Sequence, residues 1–216
     1  NNNPPDLIEA KRCLTLIHRG DENFCFQTFA DNKSVSKKLQ PSLSKVIHGS
    51  LDQVSAELTE LNKRGAGIFY TINKIKEGVK RKKQNVLEVK AVFLDLDHSP
   101  LDPVLAAAIK PHLVIETSPG RFQCIYLIDN CPLESFTPIQ EALAEKFSGD
   151  PSVKDLPRVA RLPGFDHQKN QDSPFRTHIL KEFSGPPYTV AKLVSELELN
   201  LERSKAYNNR NQSFIW

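Results

Sequence analysis

The chain has 216 residues, 39% hydrophobic and 25% charged, the balance of an ordinary soluble globular protein with one good core and room for a small appendage. A net charge of +3 is too small to establish nucleic-acid binding, and no apolar run approaches the roughly 18 residues of a membrane span. Cys13, Cys25, Cys124 and Cys131 show neither CxxC spacing nor a histidine at zinc-finger distance, so they read as core thiols in a reducing compartment. With no signal-peptide character in Asn1-Asn2-Asn3-Pro4-Pro5, a cytoplasmic protein without a membrane partner is expected.

In chain order, Leu7, Ile8, Cys13, Leu14 and Ile17 give helical spacing over residues 6–20, and Phe24 to Phe29 alternates as a strand. A polar loop from Asn32 to Lys38 follows. Residues 51, 54, 58 and 61 then mark an amphipathic helix that stops at Gly65-Ala66-Gly67. Ile68 to Ile72 is a strand. A basic loop holding Lys74, Lys76, Lys80, Arg81, Lys82 and Lys83 separates it from an apolar strand, Val86 to Asp97, with which it is expected to pair. Such a run is either a solvated hairpin loop or a phosphate-backbone contact. A short helix (Pro103 to Ile109), a strand (His112 to Thr117), a turn (Ser118-Pro119-Gly120) and a returning strand (Arg121 to Ile128) come next. A helix from Pro138 to Phe147, a Pro/Gly-punctuated segment over 148–175 and a last strand from Arg176 to Phe183 complete the pattern.

The order β, α, β, β, α, β over 86–183 predicts an α+β fold: an RRM- or ferredoxin-like sheet with its acidic strand central and helices on one face. An N-terminal α/β unit over 1–85 precedes that unit of 86–187. Residues 188–216 read as a charged helix and a linker leading to a further domain.

Asp95 and Asp97 end the apolar strand one residue apart. Residues i and i+2 of a strand share a face, so both carboxylates aim at one spot while Val92, Leu94 and Leu96 pack on the other. Adjacent carboxylates in an apolar setting repel unless a proton or cation holds them, and a divalent pair is the usual solution when the substrate is a phosphate chain. The bland alternative is that one acid caps the next helix and the other is solvated. Asp150, in Gly149-Asp150-Pro151, is the third candidate ligand, or simply a turn residue. Ser118, Arg121 and Gln123 flank a turn able to face the acids, and Arg158, Arg161, His167 and Lys169 form a basic set around a Pro-Gly turn.

The segments FLDLD, ETSPGRFQ and GDPSVKDLPRVARLPGFDHQK, in that order, resemble the archaeo-eukaryotic primase superfamily, and most nearly the RepB-like primase-polymerase domains of plasmids, phages and integrated elements. NFCFQTFAD and GAGIFYTIN share the likeness, which covers roughly residues 20–183. It implies that Asp95, Asp97 and Asp150 bind Mg²⁺ or Mn²⁺ and that the second motif, Ser118 to Gln123, contacts the phosphates of the incoming nucleotide. Gln123 stands where histidine is common in that motif. It can donate a hydrogen bond but carries no charge, so affinity would lean on Arg121 and Arg161.

The expected activity is template-directed, two-metal nucleotidyl transfer of NTPs or dNTPs on single-stranded DNA. Ser118, Arg121, Gln123, Arg161, His167 and Lys169 would serve the nucleotide. Asn73 would reach its sugar or base, and Lys80, Arg81, Lys82 and Lys83 would follow the template. A replicative helicase, separate or in the same longer chain, is the expected partner. Two rivals stand beside this reading. One is a haloacid-dehalogenase-type phosphatase with Asp95 as nucleophile and Asp150 with Asp155 as the late acids. The other is a nonenzymatic single-strand-binding replication module.

Overall fold

The computed structural model describes residues 4–32 and 40–202, so most of the loop expected at 32–38 and the end of the expected linker lie outside the described residues. The first half holds α1 (Leu7–His18), β1 (Phe24–Ala30), α2 (Gln40–Leu43), β2 (Val46–Gly49), α3 (Leu51–Lys63), β3 (Ala66–Thr71), β4 (Lys74–Ile75) and β5 (Val86–Glu88). The second half holds β6 (Ala91–Leu96), α4 (Asp102–Ala106), β7 (Leu113–Ser118), β8 (Arg121–Asp129), α5 (Leu133–Phe147), β9 (Val159–Arg161), β10 (Asp166–His167), β11 (Phe175–Arg176), β12 (His178–Glu182), β13 (Tyr188–Thr189) and α6 (Val190–Glu196).

Local chemistry accounts for the long helices. Asp6 caps α1 by accepting from the Glu9 amide at 2.9 Å, and Ala10, Cys13, Leu14 and Ile17 form its buried stripe. Ser50 and Gln53 make a reciprocal capping box at the start of α3. The helix expected from Pro138 begins at Leu133 instead. Pro138 lies inside α5, in its second turn, where it brings no amide to the helical hydrogen-bond ladder.

The strands form two main sheets. The first runs β2-β1-β3-β9, and the second runs β12-β7-β8-β6, with β13 added in parallel at the far end of β8. One face of the second sheet, through Val92, Leu94 and Leu96, packs on Val104 of α4, Phe136 and Ile139 of α5 and Leu193 of α6. Its other face, through Ala91, Phe93, Leu113 and Ile125, joins the core built from α1, α3, β1 and β3. The alternation expected of the acidic strand is therefore present, with α4, α5 and α6 on one face.

Three expectations are corrected. The stretch from Val86 to Asp97 is two strands, because Lys90 is buried and its amide donates to Asn73 Oδ1 at 3.1 Å, turning the chain from one small sheet into another. The residue 68–72 strand consequently pairs with β1 and β9, and only β4 and β5 make the short pair around the basic loop. The acidic strand is not central either: β12 pairs with β7, which leaves β6 bonded to β8 alone. Strand β9 crosses back to complete the first sheet beside β3.

The free edge of β6 is closed by a side chain. Gln140 of α5, 1% exposed, accepts from the Phe93 amide at 2.8 Å and donates to the Phe93 carbonyl at 3.0 Å and the Val153 carbonyl at 2.9 Å. Gln140→Leu keeps the bulk but strands three buried backbone groups, each worth about 1–3 kcal/mol. It should lower stability in urea denaturation by about 3 kcal/mol or more.

Candidate active site

Strand β6 carries Asp95 onto the face it shares with Phe93, toward the first sheet, and Asp97 follows just past the strand end. Both line a cleft of about 580 Å³ between the two sheets. Ser118, Arg121 and Gln123 enter from the β7–β8 hairpin, Arg161 from β9, and His167 and Lys169 from the segment beyond it. These expected site residues are brought together by elements far apart in the chain.

Asp95 is the electrostatic focus. Burial, and then the neighbouring Asp97 and Asp150, raise its pKa to about 6, against the opposing effects of a Gln123 hydrogen bond and the Arg161 charge. Asp97 is half exposed and lies 3.4 Å from Arg121 Nη1. A carboxylate pair with so little compensation fits a divalent cation, which takes oxygen ligands and commonly one or two carboxylates plus phosphate and water oxygens.

Asp150 is held beside the pair by its backbone: its amide donates to the Asp95 carbonyl at 2.9 Å, the next outward-facing carbonyl of β6 after the Gln140 clamp. Its carboxylate is turned into its own turn, accepting from the Ser152 amide at 2.8 Å and the Ser152 hydroxyl at 2.9 Å. Among the described residues no group of three acidic, histidine or cysteine side chains is clustered for a metal. The structure thus brings two of the three acids together and tethers the third next to them.

Gln123, 6% exposed, stands opposite Asp95 in the β6–β8 register and helps hold its pKa down, and its carboxamide oxygen accepts from the Arg161 amide at 3.1 Å. Arg161 is likewise committed. Its guanidinium donates to Asp31 through two parallel bonds of 2.8 and 2.9 Å and lies 4.5 Å over the Phe69 ring. Asp31, its side chain 4% exposed, also accepts from the Gln168 amide at 2.9 Å. A Cβ at Gly67 would fall on Asp31 Oδ1 and Arg161 Nη1, so only glycine leaves room for the pair. Reading Arg161 as a triphosphate ligand is corrected accordingly: it is the buried half of an ion pair that forms the cleft floor. Asp31 was missed as a residue. Its stretch carried a resemblance, but nothing local pointed to a partner 130 positions away.

His167 donates from Nδ1 to the Thr117 carbonyl at 2.9 Å, since a carbonyl can only accept, and burial together with Arg161 lowers its pKa. Its neutral form therefore leaves Nε2 as an acceptor. Asn73 does not reach the cleft: it is fully buried, donates to the Leu156 carbonyl at 3.0 Å and accepts from Lys90. In the basic loop Lys80, Lys82 and Lys83 are exposed, whereas Arg81 is tied to Gln27 Oε1 at 3.2 Å and the Pro157 carbonyl at 2.6 Å. Asp155, required by the phosphatase reading, pairs with Arg158 and does not line the cleft. The four cysteines are free and buried, and no described helix is long and apolar enough to cross a membrane.

The chain is 22% identical over 164 residues to a DNA primase of Acidithiobacillus ferrooxidans, covering 72% of this chain and 44% of that one, so it spans less than half of that relative. Among solved structures, the primase-polymerase domain of cyanophage S-2L superposes with a TM-score of 0.71 at 15% identity, over 90% of this chain and all of that one. The catalytic domain of primase RepB′ in complex with initiator DNA superposes with a TM-score of 0.63 at 18% identity, over 95% and 98% of the two chains. Both likenesses show a shared fold. Residues 58–189, over half of the chain, match the family described as the RepB DNA-primase N-terminal domain, and the chain belongs to that family.

Proposed function

We propose that this chain is the catalytic unit of a DNA primase-polymerase that joins nucleotides on a single-stranded DNA template. The observation that carries the reading is the Asp95–Asp97 pair, poorly compensated and set in a cleft whose other lining groups include Arg121, His167 and Lys169. A cleft of about 580 Å³ falls within the roughly 300–1,000 Å³ of small-molecule sites. The solved RepB′ catalytic domain is in complex with initiator DNA, and its likeness over most of this chain supports DNA as the template.

In this reading Asp95 and Asp97 hold Mg²⁺ or Mn²⁺, with Asp150 joining them once its carboxylate leaves Ser152. Divalent cations there would supply activation of an attacking hydroxyl and charge neutralisation at the leaving phosphates. Arg121 and Lys169 neutralise the triphosphate, and Ser118 offers a hydroxyl donor. Gln123 and Arg161 act indirectly: the first orients Asp95, and the second fixes the floor through Asp31. Burial and the Arg161 charge favour the neutral form of His167, and triphosphate charge beside it would favour its protonated, donating form. Lys80, Lys82 and Lys83 would meet the template backbone without reading sequence, from a loop that Arg81 pins to β1. A helicase partner, in the same longer chain or separate, belongs to this proposal as well.

The direct test is incubation with labelled nucleotides, single-stranded template and Mn²⁺, followed by sizing of the products. The wild-type chain should yield oligonucleotides, and Asp95→Ala with Asp97→Ala should yield none; undiminished synthesis by the double variant would refute the mechanism. For Asp150 the informative change is Asp150→Asn, which can still accept from the Ser152 amide. Incorporation should fall by at least about a hundredfold with the melting temperature unchanged, whereas a turn residue would leave incorporation near wild type.

The pH dependence has a defined sign. Because the folded pKa of Asp95 is raised to about 6 from 3.8, its ionisation works against the fold. Stability of the metal-free chain from this group should therefore decline as pH rises from about 4 through about 6 and level off above. Asp95→Asn should remove that slope and stabilise the metal-free chain at pH 7.5 by on the order of 1–2 kcal/mol in urea denaturation, while abolishing stabilisation by added Mn²⁺.

A further inference from the structure

The first-sheet wall of the cleft is aromatic. Register pairs Phe69 on β3 with Gln27 on β1 and Arg161 on β9, and pairs Phe29 on β1 with Gly67, so Phe29, Phe69 and Arg161 rise from one face of the first sheet. Gly67 has no side chain to stand opposite Phe29. The two rings meet across it with centroids 5.6 Å apart and planes at 66°. Arg161 covers one side of Phe69 from 4.5 Å.

Neither ring is needed to fill the core. The opposite face of the same strands supplies Phe26, Ile68 and Tyr70, all fully buried, whereas Phe29 remains 37% exposed. A flat aromatic surface left open in a cleft otherwise lined by carboxylates, cations and polar groups suits a ligand that is charged at one end and planar at the other. We propose that Phe29, backed by Phe69, is the stacking surface for a nucleobase, an assignment that rests on the nucleotide reading of this cleft. Contact runs without a break from Asp95 through Gln123 to Arg161 and on to Phe69 and Phe29, so phosphates gathered near the acids leave the base of the same or a paired nucleotide over the rings. Every base has a π-face, so the surface tolerates all four.

The test uses the full chain in Mg²⁺ with three probes: a 2-aminopurine nucleoside triphosphate, a single-stranded oligonucleotide carrying 2-aminopurine, and inorganic tripolyphosphate. Phe29→Ala should weaken nucleoside triphosphate binding by about tenfold, the scale of one lost base–aromatic stack, and leave tripolyphosphate binding unchanged. Phe29→Tyr should restore binding and Phe29→Leu should not, which separates stacking from mere apolar bulk. If the loss falls on the oligonucleotide instead, the stacked base belongs to the template strand and the surface stands. Unchanged binding of both base-bearing probes, or an equal loss for tripolyphosphate, overturns the proposal. A wild-type chain that binds these probes but makes no polymer overturns only the polymerase reading. One that binds none of them overturns both.

Discussion

The carboxamide of Gln123 is the seam on which the candidate site depends. It belongs to the second sheet, stands opposite Asp95 there, and accepts the Arg161 amide from the first. A cleft between two sheets keeps its shape only if the sheets are registered to each other, and apolar packing, being non-directional, sets that register loosely. A directional hydrogen bond from one sheet to the other sets it more tightly. From Arg161 the linkage continues through the bidentate bonds to Asp31, whose side chain also receives the Gln168 amide. A buried ion pair of this kind carries a desolvation penalty that its Coulomb attraction offsets only with good geometry and further hydrogen bonds, and both conditions are met here.

The two halves of the site thus carry charge differently. On the floor the charges are matched and dry, and they hold position. At the end of β6 they are unmatched, with Asp95 raised toward a neutral form and Asp97 reached only at 3.4 Å by a partly exposed arginine. Local destabilisation of this sort is expected where binding energy is to be used. Asp150 stands between the two conditions. Its place is fixed by the main chain while its charge is used in a turn.

Much of this was legible in the sequence. The two-residue period of Val92 to Asp97 fixes which side chains share a face, and the structure follows it. The helix stripes of α1 and α3 were equally plain, as was the convergence of the hairpin and the Pro-Gly segment on the acids. What could not be read were partners distant in sequence. Arg161 sits in a cationic cluster and so looks like a phosphate ligand until Asp31 is seen against it. Asn73 looks available at a strand end until Lys90 and Leu156 take both ends of its amide. Gln140 gave no signal at all, because a polar residue on an amphipathic helix ordinarily faces water. The central placement expected of the acidic strand failed for a related reason: strand succession does not dictate spatial order, and β12 settles on β7.

The clamp at Phe93 has a consequence for how the molecule behaves in company. Strands at the margin of a sheet expose unpaired amides and carbonyls that can template pairing with another chain, which is a route to aggregation. Strand β6 occupies such a margin, yet Gln140 takes both outward groups of Phe93, and the Asp150 amide takes the outward carbonyl of Asp95. The strand bearing the acids is thereby closed to recruitment by neighbouring molecules while the carboxylates at its end stay open to small ones.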